Sequence, residues 1–146
     1  MSQTSPFNAE RIASRRRIVL LGAAVVLAGA SAGVASALFL SLLSAFTEFR
    51  IHNPMIVWAL PLAGLITGWM YDRWGKPIAG GVDLVLDRTV DGGAQLPPRM
   101  APMVLVGTWI THLFGGSAGR EGTAVQMGAA MADGWAARLG LRPDDR

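Results

Sequence analysis

The residues of this sequence that could do chemistry together lie between positions 115 and 128. Glycines at 115, 116, 119 and 122 surround one base, Arg120, and one acid, Glu121, with apolar residues on either side. Glycines of this kind let backbone N–H groups approach a small ligand closely. Where such a stretch opens a helix inside a membrane, the free N–H groups and the positive dipole end make an anion site without a formal cation. Glu121 would be held by the same N–H groups, so its carboxylate can occupy the anion position. Once protonated it loses its charge and can leave. The spacing points to a proton-linked anion gate. The competing reading is a solvated surface loop in which Arg120 and Glu121 meet water or each other.

Other chemistries fit poorly. A P-loop needs a second glycine where Glu121 stands, followed by a lysine that is absent, and no glycine pair has the spacing of a dinucleotide fingerprint. There is no cysteine, so a thiol nucleophile, a disulfide framework and a thiolate metal site are excluded. His52 and His112 stand far apart, without ligand spacing. The sequence therefore predicts no metal, no cofactor and no enzymatic activity. His112 is read as a polar residue bonded to a neighbouring helix, with a proton relay as the alternative. Trp58, Trp69, Trp109 and Trp135 are read as interfacial anchors. Met100, Met103, Met127 and Met131 are read as apolar filling. Arg99 and Arg138 are placed at the water boundary.

The elements that must position this stretch are apolar and helical. Hydrophobic residues make up 51% of the 146 and charged residues 16%, against about 25% charged in soluble domains. Residues 18–47 contain no charge, and about 20 apolar residues suffice to cross a bilayer. Arg15, Arg16 and Arg17 stand directly before that run, as expected for a cytoplasmic basic segment over residues 1–17. The arginines neither stripe a helix nor alternate with aromatics, which argues against nucleic acid.

Further spans are predicted at about 18–46, 54–71, 97–114 and 120–137, with a short or half-membrane helix at 82–90. The first two spans read as a hairpin joined by a polar turn at Glu48, Arg50, His52 and Asn53, leaving both ends cytoplasmic. Gly29 and Gly33, and Gly64 and Gly68, have the spacing that lets helices approach closely. Residues 138–146 form a polar tail. The fold class expected is an all-α polytopic membrane protein with full-length and short or re-entrant helices. A twin-arginine export signal cleaved after Ala35-Ser36-Ala37 is a rival reading, but its apolar stretch is too long for the roughly 7–15 residues such signals use.

Gly119-Arg120-Glu121-Gly122 resembles the GREG(P) motif of the chloride channel (CLC) family. The surrounding residues, Leu96-Pro97-Pro98-Arg99-Met100-Ala101-Pro102, then Gly107-Thr108, then 111–128, are similar to the fluoride/proton antiporter subclass. Residues 1–75 resemble the family in hydropathy alone. The resemblance implies that Glu121 is gate and proton carrier, with Gly119, Arg120, Gly122 and Thr123 about the anion. Thr123 stands where the family usually has proline. Chloride transporters carry GSGIP before the short helix; here Gly81, Val82 and Asp83 occupy that place. The absent GSGIP argues against chloride selectivity, Val82 also departs from the fluoride pattern, and Asp83 would put an acid near an anion path.

The partners implied are fluoride or chloride ions, protons, the lipid bilayer and a second copy in a homodimer. The localisation implied is the cell inner membrane, multi-pass, with the N-terminus cytoplasmic. Family members are much longer and contain inverted repeats, so this sequence is expected to be the N-terminal portion of a transporter. A chloride channel or chloride/proton exchanger, a non-transporting membrane subunit, and an exported soluble protein remain as alternatives.

Overall fold

A computed structural model describes residues 6–90 and 95–141, with side chains from Ser14 onward. The first five residues and the last five of the expected polar tail lie outside the described residues, as do residues 91–94. All regular structure among the described residues is helical. The elements are α1 (Pro6–His52), α2 (Leu60–Trp74), α3 (Gly81–Val90), α4 (Met100–Leu113) and α5 (Arg120–Arg138), with short 3-10 segments at Pro54–Ala59 and Lys76–Ile78.

α1 is a single helix of 47 residues. The polar turn expected at Glu48, Arg50 and His52 is instead its last turn. Polarity alone does not end a helix: these residues form helix readily, and neither glycine nor proline stands among them. The break comes at Pro54, which disfavours helical backbone at the residue before it. Asn53 accordingly sits at φ −128°, and its side-chain amide donates back to Phe49 O at 2.9 Å. Ala35-Ser36-Ala37 lies in the middle of this unbroken helix.

α1 and α2 are joined through the short 3-10 segment Pro54–Ala59, which contacts both helices. α1 packs along α5 and α4, α2 packs on α4, and α3 packs on α5. α1 and α2 thus share α4 as a packing neighbour. Two indole contacts draw α1 to its neighbours. Trp109 Nε1 donates to Phe39 O at 3.3 Å, and its ring stacks on Phe39 and meets Phe46 edge-on. Trp135 Nε1 donates to Ser31 Oγ at 3.0 Å. Both tryptophans join helices here, whereas Trp58 and Trp69 are exposed.

The main core lies between α3, α4 and α5. Met100 and Met127 are fully buried there with Ile78, Val85, Leu96 and Ala130. A single carboxylate pins the entry to α4: Asp133 Oδ2 accepts from Leu96 N–H at 2.6 Å. The far end of α5 closes on Gly140, at φ +69°, where Leu141 N–H returns to Ala136 O at 3.0 Å. Leu141 is then buried against Ala24 and Ala136, a left-handed glycine cap with its hydrophobic contact. That cap supplies the stop that the polarity of 138–146 does not explain.

Two helical stretches, Ser14–His52 and Pro54–Trp74, are long and apolar enough to cross a membrane. Their outer faces show Val25, Val34, Leu38, Leu62, Leu65 and Trp69 to the surroundings. No atom lies within 4 Å of a Cβ placed on Gly29, Gly33, Gly64 or Gly68. The small-residue faces of α1 and α2 are therefore unused by the described neighbours.

Candidate functional site

The site is assembled where α4 ends, α5 begins and α3 begins. α4 stops because Gly115 takes φ +90°, which turns the chain sharply. Gly116 N–H then donates to Thr111 O at 2.8 Å and Gly115 N–H to His112 O at 3.2 Å, capping the helix. A Cβ on Gly116 would meet Thr111 Cγ2 at 2.7 Å, so the turn closes tightly against its own helix. Gly119, extended at φ −68° and ψ 116°, is the N-cap of α5 and has no side-chain cap. The first N–H groups of such a helix have no intrahelical partner.

α3 begins close by. Gly81 adopts φ +58°, a conformation that side-chain-bearing residues rarely take. A Cβ on Gly122 would lie 3.5 Å from Val82 Cγ2, which measures how closely the two helix starts approach. Between them is a cleft of about 500 Å³. α5 contributes Gly119, Gly122, Thr123 and Gln126 to its wall. Gly81 comes from α3, Tyr71 from α2, and Val104 and Thr108 from α4. Two helix N-termini thus open onto one space.

A buried hydroxyl chain fixes the α5 end of the cleft. Thr123 Oγ1 lies 3.0 Å from Gly119 O, and a carbonyl only accepts, so Thr123 donates. Thr108 Oγ1 lies 2.8 Å from Thr123 Oγ1 and must therefore donate to it. Thr123 N–H also reaches Gly119 O, at 3.3 Å. Both threonines are almost fully buried, at 6% and 5% exposure. Thr123 thus spends its hydroxyl hydrogen on the residue two before Glu121, and that hydrogen is not available to an ion in the cleft.

Of the residues read from sequence, Gly81, Gly119, Gly122 and Thr123 come together around the cleft, and Val82 packs at its edge. Glu121 stands exposed in the first turn of α5, one residue from the cleft-lining Gly122. Asp83 is exposed in the first turn of α3, where a helix dipole favours an acid. Arg120 points elsewhere. It lines a second cleft of about 250 Å³ with Leu40, Leu43, Ser44, Thr47, Glu48 and Ile51 of α1.

Sequence reading missed Tyr71, Thr108 and Gln126 as wall residues. The spacing offered one signal: Gln126 follows Gly122 by four residues, so both lie on one face of α5. His112 is bonded within its own helix, Nδ1–H donating to Thr108 O at 2.9 Å, and not to a neighbouring helix. No cluster of three or more His, Cys, Asp or Glu exists among the described residues. The Asp72–Lys76 pair, at 3.8 Å and largely exposed, adds little.

A family model described as voltage gated chloride channel matches residues 63–146. A protein of Pseudomonas syringae pv. tomato (strain ATCC BAA-871 / DC3000), described as a chloride/fluoride channel protein, is 50% identical over 115 residues. These cover 79% of this chain and 25% of that protein, so the chain spans about a quarter of the length of the curated relative it matches. No solved structure matches the chain.

Proposed function

Starting from a membrane chain that belongs to the voltage gated chloride channel family, we propose that it carries the gated half of an anion pathway, exporting fluoride in exchange for protons. The observation that carries the reading is the meeting of two helix N-termini on one cleft, with Glu121 in the first turn of α5. An anion between α3 and α5 gains the N–H groups and dipole ends of both helices. Gly81, Gly119 and Gly122 give it close access to the backbone. Val82 closes the edge of the site, and Thr123, through its bond to Gly119 O, holds the loop in shape. Asp83 stands outside the ion's position, and Arg120 draws anions toward the mouth from its neighbouring cleft.

Glu121 is the gate. Charged, it swings over Gly122 and takes the ion's N–H groups; protonated, it releases them. Each cycle then moves a proton one way and an anion the other. Glu121→Gln keeps the shape and cannot exchange a proton. In proteoliposomes it should abolish fluoride-driven proton pumping. Fluoride-driven pumping that survives in Glu121→Gln places the gate elsewhere.

Selectivity for fluoride follows from the absence of GSGIP and from Thr123 in place of proline. The second reading is chloride conduction, favoured by the relative's description as a chloride/fluoride channel protein. Efflux of the two ions from the same liposomes separates the readings. Fluoride should leave faster, and chloride efflux equal to it decides for the second. The working form we propose is a homodimer in the cell inner membrane, with the N-terminus cytoplasmic.

A further inference from the structure

We propose that Gln126 is a further anion-contacting residue of this pathway, its side-chain amide donating to the ion held between the starts of α3 and α5. The inference rests on the reading of the cleft given above. Of the polar side chains on the cleft wall, Thr108 and Thr123 have their hydroxyl hydrogens committed to Thr123 and Gly119. The Tyr71 hydroxyl is turned toward α4, 3.3 Å from where a Cβ on Gly107 would be. The Gln126 side chain has no partner among the described residues, and it lines the cleft between the two helix starts.

Its position follows from helix geometry. A helical side chain leans toward the N-terminus of its helix and covers the preceding turn. Gln126 therefore reaches back over Gly122 to the mouth of α3. Its Nε2 lies 3.7 Å from a Cβ built on Gly81 and 3.9 Å from one built on Gly122. A Cβ at either glycine would stand in van der Waals contact with that amide and take up space beside it. The amide supplies two N–H donors and no charge. A neutral donor strengthens anion binding without trapping the ion, as a conducting site requires. A side chain that merely filled space between α3 and α5 would be replaced by methionine at little cost.

The test is fluoride and chloride binding to the detergent-solubilised protein by calorimetry, with proton-coupled flux measured alongside in liposomes. Gln126→Met keeps the length and removes the donors. It should weaken anion binding about tenfold or more, with the number of protons moved per anion unchanged. Gln126→Glu keeps the shape. It should bind no anion at neutral pH and regain binding as the solution is acidified. Wild-type affinity in Gln126→Met overturns the proposal. Should that variant not fold, wild-type affinity in Gln126→Glu at neutral pH overturns it equally. Weakened binding in Gln126→Met beside intact coupling in Glu121→Gln would reject the gate and keep Gln126. No binding of either ion to the wild-type protein rejects both.

Discussion

Thr123 makes two hydrogen bonds to one carbonyl, Gly119 O, and receives a third from Thr108. Proline at this position, the usual family residue, could make neither bond to Gly119 O, so the hydroxyl chain is a different way of holding the same turn. Thr123→Val should cost about 1–3 kcal/mol, because it strands the buried Thr108 hydroxyl without an acceptor. Thr108→Val should cost less, since Thr123 keeps its own acceptor. Unfolding of single and double variants in mild detergent measures this, and additive losses would show that the two hydroxyls do not interact. The glycines that meet at the cleft, Gly81, Gly119 and Gly122, were legible in sequence because their type and spacing mark helix starts and close backbone approach locally. Tyr71 and Thr108 were not, because each reaches the cleft only through packing between helices, whereas Gln126 was signalled only by its i+4 spacing from Gly122. Arg120 shows the converse: adjacent to Glu121 in sequence, it faces a different cleft, since successive helical residues point some 100° apart.

At the scale of elements, helix existence was legible and helix ends were not. Apolar runs announced every helix, but α1 outlasted its apolar run and ended at proline, while the stop of α5 lay in Gly140. Glycine spacing was the less reliable guide. Gly33 has the GxxxG spacing and no neighbour, whereas Gly75 has no motif and no room. A Cβ on Gly75 would lie 2.6 Å from Tyr71 O and 2.8 Å from Tyr71 Cα, backbone atoms that cannot step aside. Gly75→Ala should therefore destabilise by about 1–3 kcal/mol and disturb Tyr71 at the cleft. Gly33→Ala should stabilise α1 by about 0.5–1 kcal/mol through helix propensity alone. Thermal unfolding in detergent compares the two. A loss at Gly33 would show that another surface packs on that face.

The whole molecule is ordered along α1. Its uncharged residues 18–47 extend about 45 Å at 1.5 Å per residue, longer than the roughly 30 Å of bilayer hydrocarbon. The helix must tilt, or carry part of that run into the headgroups. α5 runs back alongside it: Arg120 stands beside Thr47 and Glu48, Trp135 beside Ser31, and Leu141 beside Ala24. The start of α5, and with it Glu121, therefore lies toward the end of α1 opposite Arg15, Arg16 and Arg17. Basic residues beside a first span stay in the cytoplasm. We expect the N-terminus inside, which puts Glu121 nearer the outer face of the membrane. A gate so placed takes protons from outside, the direction in which an inward proton gradient drives an anion out. Reporter enzymes fused at Ser2 and at Arg50 check the orientation. The Ser2 fusion should be active only in the cytoplasm and the Arg50 fusion only outside. A Ser2 reporter found outside inverts the molecule and turns Glu121 to the cytoplasm.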